Sequence, residues 1–190
     1  MSKSWDDMAA EWDSNAAVIA YSEKVASALA NVVAIKGSKI FDFGCGTGLL
    51  TEKLSPKVTS ITAIDPSVEM INALKAKQLP NVSTVVGVVD EMFVREYKQA
   101  GQRFDVIVAS SSLAFVPDYQ ETIALLAMLL VDGGLLVQWD WEKSESSSAG
   151  FTVSEIEEAY TNAGLNVIST SIPFNMGDMR VLMGVGQRTA

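Results

Sequence analysis

Apolar positions along the chain recur with two alternating periods. Val18, Tyr21, Val25, Leu29 and Val32 step by three and four, which marks the buried face of a helix ended by Gly37. Lys39–Phe43 follows as a short apolar strand, and the glycine-rich stretch Gly44–Gly48 opens a helix over Leu49–Leu54 that stops near Pro56. Val58–Ile64 reads as a second strand. Asp65-Pro66-Ser67 is a helix start, because Pro suits the first turn and Asp or Ser can cap. The helix runs over Val68–Ala76. Val82–Val89 and Phe104–Ala109 are the third and fourth strands. A leucine-dense helix is predicted over Tyr119–Val131, ended by Asp132-Gly133-Gly134, with a fifth strand over Leu135–Trp139. Ser144–Gly150 has the composition of a flexible loop. Ser154 with Glu157 forms a capping-box pattern for a helix reaching Ala163, and Leu165–Ile172 and Val181–Gln187 read as a final antiparallel pair. Strands alternating with helices predict a mostly parallel sheet covered on both faces.

Composition narrows the functional classes. With 190 residues, the expectation is a single domain over residues 1–190. Apolar residues make up 48 % of the chain, but no run approaches the roughly 18 needed for a membrane span. The N-terminus lacks the basic-then-apolar order of a secretory signal. One cysteine excludes an intrachain disulfide, so a cytoplasmic protein is the default expectation. The net charge of −9 disfavours nucleic acid, and no membrane partner is expected. The chain contains no histidine, which removes the commonest general base and zinc ligand; no metal site is expected.

The candidate chemistry begins at Asp42-Phe43-Gly44-Cys45-Gly46-Thr47-Gly48. Glycines at a strand-to-helix turn let the backbone turn sharply and let a ligand approach closely. The crevice at the carboxyl ends of the strands is the usual ligand site in such sheets. The spacing is G-x-G-x-G, not the G-x-G-x-x-G of dinucleotide dehydrogenases. Asp42 would repel a bare pyrophosphate, whereas it suits an ammonium. Asp65, at the end of the second strand, either caps the next helix or accepts hydrogen bonds from ribose hydroxyls. Paired with the glycine loop, the ribose reading is favoured.

These residues, with four further segments, resemble the class I S-adenosylmethionine-dependent methyltransferases from about Trp5 to Arg188. The further segments are Ala63–Met70, Phe104–Ser110, Leu130–Leu136, and Phe151–Ile156 followed by Ala163-Gly164-Leu165. The resemblance implies a Rossmann-like α/β fold with a seven-stranded sheet, order 3-2-1-4-5-7-6, strand seven antiparallel, with helices on both faces. It implies S-adenosyl-L-methionine as cofactor. Gly44, Cys45, Gly46 and Gly48 would line the methionine part, Asp42 would help hold it, and Asp65 would bind the ribose. Pro66 and Met70 would flank adenine or ribose, and Ser110, which closes the fourth-strand motif, and Trp12 would also contact the cofactor. Cys45 is assigned no nucleophilic role. Many relatives carry Gly-Asp-Ala after strand three, where this chain has Gly87-Val88-Val89-Asp90; either Asp90 takes over the adenine contact or backbone alone does so. Trp5-Asp6-Asp7-Met8-Ala9-Ala10-Glu11-Trp12-Asp13 is similar to the family's opening segment, which implies a helical lid or cap over residues 1–35 with Trp12 as its aromatic; core packing of the tryptophans is the alternative.

Methyl transfer from a sulfonium is an in-line displacement that depends chiefly on positioning. If the acceptor carries a proton, Asp118, Asp140 and Glu142 are the available carboxylates. Tyr21, Phe115, Trp139 and Trp141 are candidate acceptor contacts; core packing is the competing role for Trp139. No large insertion follows the fifth strand, so a small-molecule acceptor is expected, or one reached through the second subunit of a homodimer. The alternatives are a cofactor-binding regulator or scaffold without catalysis, and a nicotinamide dehydrogenase, which the glycine spacing and the lack of a Tyr-x-x-x-Lys pair disfavour.

Overall fold

The computed structural model describes residues 4–144 and 149–189. Its helices begin where side chains satisfy free backbone donors. Ser4 and Asp7 form a reciprocal capping box at α1 (Trp5–Trp12), and Asn15 accepts from the Ala17 and Val18 N–H groups at α2 (Ala16–Val32). The later helices are α3 (Leu49–Leu54), α4 (Val68–Ala76), α5 (Glu91–Gln99), α6 (Tyr119–Ala127) and α7 (Val153–Asn162). The strands are β1 (Lys39–Phe43), β2 (Ser60–Asp65), β3 (Val82–Val86), β4 (Phe104–Ser110), β5 (Leu130–Trp141), β6 (Leu165–Met176) and β7 (Met179–Arg188). They form one seven-stranded sheet in the order β3-β2-β1-β4-β5-β7-β6. β1 with β2, β2 with β3, and β4 with β5 pair parallel, while β7 runs antiparallel to both β5 and β6. This is the Rossmann-like topology the resemblance implied. Among the described residues no helix is long and apolar enough to cross a membrane.

The contacts cluster into two compact units, Met1–Val88 and Val89–Ala190. In the first, β1 is buried from Ile40 to Phe43, and the α2 face of Val25, Ala28 and Leu29 is buried with it. In the second, β5 is buried on both faces from Leu136 to Asp140, as expected of an interior strand.

Four local readings change. Val82–Val89 gives a strand only to Val86, because the Gly87 N–H bonds the Asp65 carbonyl and the chain turns. The valines that follow lead into α5, which the sequence pattern did not mark; Asp90 is its N-cap, accepting from the Phe93 N–H. The helix expected over Tyr119–Val131 ends at Ala127, since Leu130 already pairs with Phe104 and the Asp132–Gly134 turn becomes an irregularity within β5. A leucine-rich run suits either state, and strand pairing decides it. The last helix is capped by Thr152 with Glu155, two residues before the expected Ser154 and Glu157. Residues 145–148, the centre of the expected loop, lie outside the described residues.

Helix α7 lies close on β7 because Gly184 and Gly186 present no side chain there. A Cβ on Gly186 would stand 2.4 Å from Tyr160 Cδ2, and one on Gly184 2.6 Å from Ile156 Cγ2. Gly186→Ala therefore overpacks a fully buried tyrosine and is expected to cost roughly 1–3 kcal/mol. Urea unfolding checks this; an unchanged midpoint would contradict the packing described.

Candidate functional site

Strand β1 delivers the chain to a loop that only glycines can form. Gly44, Gly46 and Gly48 have φ of +65°, +55° and +79°, the left-handed region. At Gly48 space is limiting as well: a Cβ would lie 2.3 Å from Leu74 Cδ1 on α4. The Cys45 N–H bonds the Ile64 carbonyl, and the Gly48 N–H bonds the Cys45 carbonyl, both at 3.0 Å. The loop is thus pinned to the end of β2.

Asp65 completes the pinning. Its Oδ2 accepts from the Gly46 N–H at 2.9 Å and its Oδ1 from the Ser67 N–H at 2.9 Å. It does not cap α4; Ser67 does, accepting from the Met70 N–H at 3.1 Å. Each carboxylate oxygen has two acceptor positions, so one on each remains for a ligand hydroxyl. Burial pushes the Asp65 carboxyl up, against the lowering effect of the Ser67 and Gly46 N–H groups.

Asp42 is 1 % exposed and accepts from Thr51 Oγ1 at 2.5 Å, so it braces the loop from behind instead of lining the crevice. Burial raises its carboxyl from 3.8 to about 6. Burial also pushes the Cys45 thiol up, with Asp42 and Asp65 adding to the effect, so it stays protonated. Met70 is buried with its sulfur 3.9 Å from where a Cβ on Gly46 would lie, while Pro66 is exposed.

Helix α1 crosses the same loop. The Trp12 Nε1 stands 3.8 Å from the Cβ position of Gly46, and Trp5 meets Trp12 edge-on at 5.9 Å. Asp6 accepts from Ser67 Oγ at 2.5 Å and the Glu69 N–H at 3.2 Å. Asp13 accepts from the Thr47 hydroxyl and pairs with Lys77 at 2.9 Å. Both aspartates stand in the W-D segment noted in the sequence. Their partners, 61 and 34 residues away, left no signal there.

The remaining candidates separate by burial. Tyr21 lies in the α2 core face, and Trp139 is fully buried in β5. Trp139 therefore packs in the core, and it is withdrawn as a candidate acceptor contact. Trp141 is half-buried and Phe115 is 61 % exposed on the loop after β4. Ser110 pairs with Trp139 at the end of β4. Each of the three candidate bases is engaged elsewhere or buried. Asp118 caps α6 through the Glu121 N–H at 2.9 Å, Glu142 pairs with Arg180 at 2.9 Å, and Asp140 is fully buried. Asp90 is occupied as the α5 cap.

A family model described as a methyltransferase domain matches residues 16–152. The chain belongs to the S-adenosylmethionine-dependent methyltransferase family. A ubiquinone biosynthesis O-methyltransferase of Escherichia coli O7:K1 is 32 % identical over 98 residues, which is 52 % of this chain and 40 % of that protein. The chain thus aligns with less than half the length of that relative. A methyltransferase from Haloferax volcanii, solved with its Trm112 activator, superposes with TM-score 0.81 at 18 % identity over 100 % of both chains. The S-adenosylmethionine-bound magnesium protoporphyrin IX methyltransferase of Synechocystis PCC 6803 gives TM-score 0.69 at 16 % identity over 91 % of this chain and 80 % of that one. At such identities the structures establish the shared fold. The cofactor of this family is S-adenosylmethionine.

Because the Asp42 carboxyl is raised, its folded state holds a proton that the unfolded chain has released between about pH 4 and pH 6. The stability it contributes is present below the lower value and lost as pH rises through the upper one. Asp42→Asn abolishes that loss. Its stability relative to the parent is expected to improve by about 3 kcal/mol from pH 4 to pH 8, read by urea unfolding. A pH-independent difference would contradict a buried, raised Asp42.

Proposed function

We propose that this chain transfers a methyl group from S-adenosylmethionine to an oxygen of a small acceptor that arrives with its nucleophile already ionised. The observation that carries the acceptor class is the state of the bases: no histidine exists in the chain, and Asp118, Asp140 and Glu142 are capped, buried or paired. An acidic hydroxyl, such as a phenol with an electron-withdrawing neighbour, needs no strong base from the protein. The similarity to an O-methyltransferase supports oxygen as the acceptor atom.

The residues present fit the cofactor. The left-handed glycines bring the loop backbone in without side chains of its own at those positions, and Asp65 keeps one acceptor position on each oxygen for the ribose hydroxyls. When bound, the cofactor supplies an electrophilic methyl carbon on a sulfonium, a leaving group that needs no acid. Helix α1 closes over the loop and excludes water, with Trp12 set against Gly46 and the latches at Asp6 and Asp13 holding it there. Rate acceleration then comes from holding nucleophile and methyl carbon in line.

The test uses radiolabelled S-adenosylmethionine with catechol and 4-nitrocatechol as acceptors. The pH at which kcat/KM levels off is expected to follow each acceptor's own ionisation, so the nitro compound reaches its plateau at lower pH. A bend at one pH shared by both acceptors would reveal a protein base and overturn this reading.

A further inference from the structure

Helix α1 is held to α4 at both of its ends. Near its start, Asp6 accepts from Ser67 Oγ at 2.5 Å and from the Glu69 N–H at 3.2 Å, at the N-terminus of α4. At its end, Asp13 pairs with Lys77, the C-cap residue of α4, at 2.9 Å. Each contact places a charge where the α4 dipole favours it, the carboxylate at the amino end and the ammonium at the carboxyl end. The two contacts differ in kind. Asp6 meets a hydroxyl and a backbone donor, whereas Asp13 meets a full charge.

Lys77 has a second partner. Its Nζ also stands 2.8 Å from Glu52 Oε2 on α3, the helix that the glycine loop opens. The Lys77 side chain is 15 % exposed, so its ammonium is partly withdrawn from water between two carboxylates. An isolated exposed ion pair contributes little. Here removal of the cation would also leave Asp13 and Glu52 opposed as like charges. Asp13 carries the contact onward into the loop. Its Oδ2 pairs with Lys77, while its Oδ1 accepts from the hydroxyl of Thr47, a buried residue between Gly46 and Gly48. Next to Asp13 in the chain, Trp12 stands against Gly46. The loop, α1, α3 and α4 thus meet at Lys77, directly or through one carboxylate.

We infer that Lys77 is a positioning residue for S-adenosylmethionine: by fixing Asp13 on Thr47 and offsetting Glu52, it holds the end of α1, with Trp12, over the glycine loop and so slows release of bound cofactor. This role rests on the reading that the cofactor lies beside that loop and beneath α1. Lys77 acts through Asp13, and only its charge and reach matter.

The experiment is stopped-flow displacement of S-adenosylhomocysteine, the product left by methyl transfer. Its ammonium and carboxylate cancel at neutral pH, so salt has little effect on its own charge balance. Lys77→Met is expected to raise the dissociation rate at least fivefold, and Lys77→Arg to stay within twofold of the parent. Release from the parent is expected to speed up about threefold between about 50 mM and 500 mM salt, as the ion pair is screened. In Lys77→Met that rise is expected to disappear, because only the like charges of Asp13 and Glu52 remain to be screened. A rate in Lys77→Met within twofold of the parent overturns the proposal and leaves the cofactor reading standing, as does a Lys77→Arg variant that releases as fast as Lys77→Met. A parent that binds no S-adenosylhomocysteine overturns the cofactor reading and the proposal with it. Should Lys77→Met fail to fold, Asp13→Asn serves, since it keeps an oxygen for the Thr47 hydroxyl and removes the charge that Lys77 pairs with. Its release is expected to be at least threefold faster than the parent's, and an unchanged rate counts against Lys77.

Discussion

The hydrogen bond from the Gly46 N–H to the Asp65 carboxylate joins two segments 19 residues apart in sequence. It sets the glycine loop against the end of β2, and most of the proposed site depends on it. The same carboxylate holds the Ser67 N–H, and Ser67 in turn caps α4 and donates to Asp6 on α1. Loop, helix start and overlying helix are therefore linked through one buried acid. Such an arrangement is expensive in desolvation, which is why the carboxyl is pushed up, but it fixes donors and acceptors before any ligand arrives. Preorganisation of this kind suits a reaction that needs alignment more than proton transfer.

The distribution of buried acids makes the same point across the chain. Asp42, Asp65 and Asp140 are all buried, and none has a cation as its principal partner. Each instead meets a hydroxyl, an amide or a backbone N–H at the carboxyl end of a different strand. Carboxylates that might have served as bases are bound into caps and ion pairs. The chain thus uses these acidic residues to shape loops.

The fold was legible in the sequence because strongly periodic segments and the glycine turn agree with one another. The strand order came from the family resemblance and is the one observed. What the sequence hid follows from weak or ambiguous local signals. Helix α5 buries only Val94 fully, so its short pattern carried little weight beside the preceding valines. The end of α6 was misplaced because leucines suit helix and strand alike, and only pairing of Leu130 with Phe104 decides between them. In the site, the glycines and Asp65 stood out by spacing. The latches at Asp6 and Asp13 did not, since they join residues brought together only by folding. The two roles of Trp139 stayed open in the sequence because alternation along a strand gives a side chain's face but not whether that face is covered.

The central claim is that Asp65 organises an S-adenosylmethionine site on the glycine loop. Calorimetric titration of the parent chain and of Asp65→Ala with S-adenosylmethionine, alongside NAD, tests it most directly. Micromolar binding of S-adenosylmethionine to the parent, no binding of NAD, and a loss of at least tenfold in Asp65→Ala are expected. Equal affinity in parent and variant would contradict the assignment of Asp65, and binding of NAD in place of S-adenosylmethionine would contradict the site as a whole.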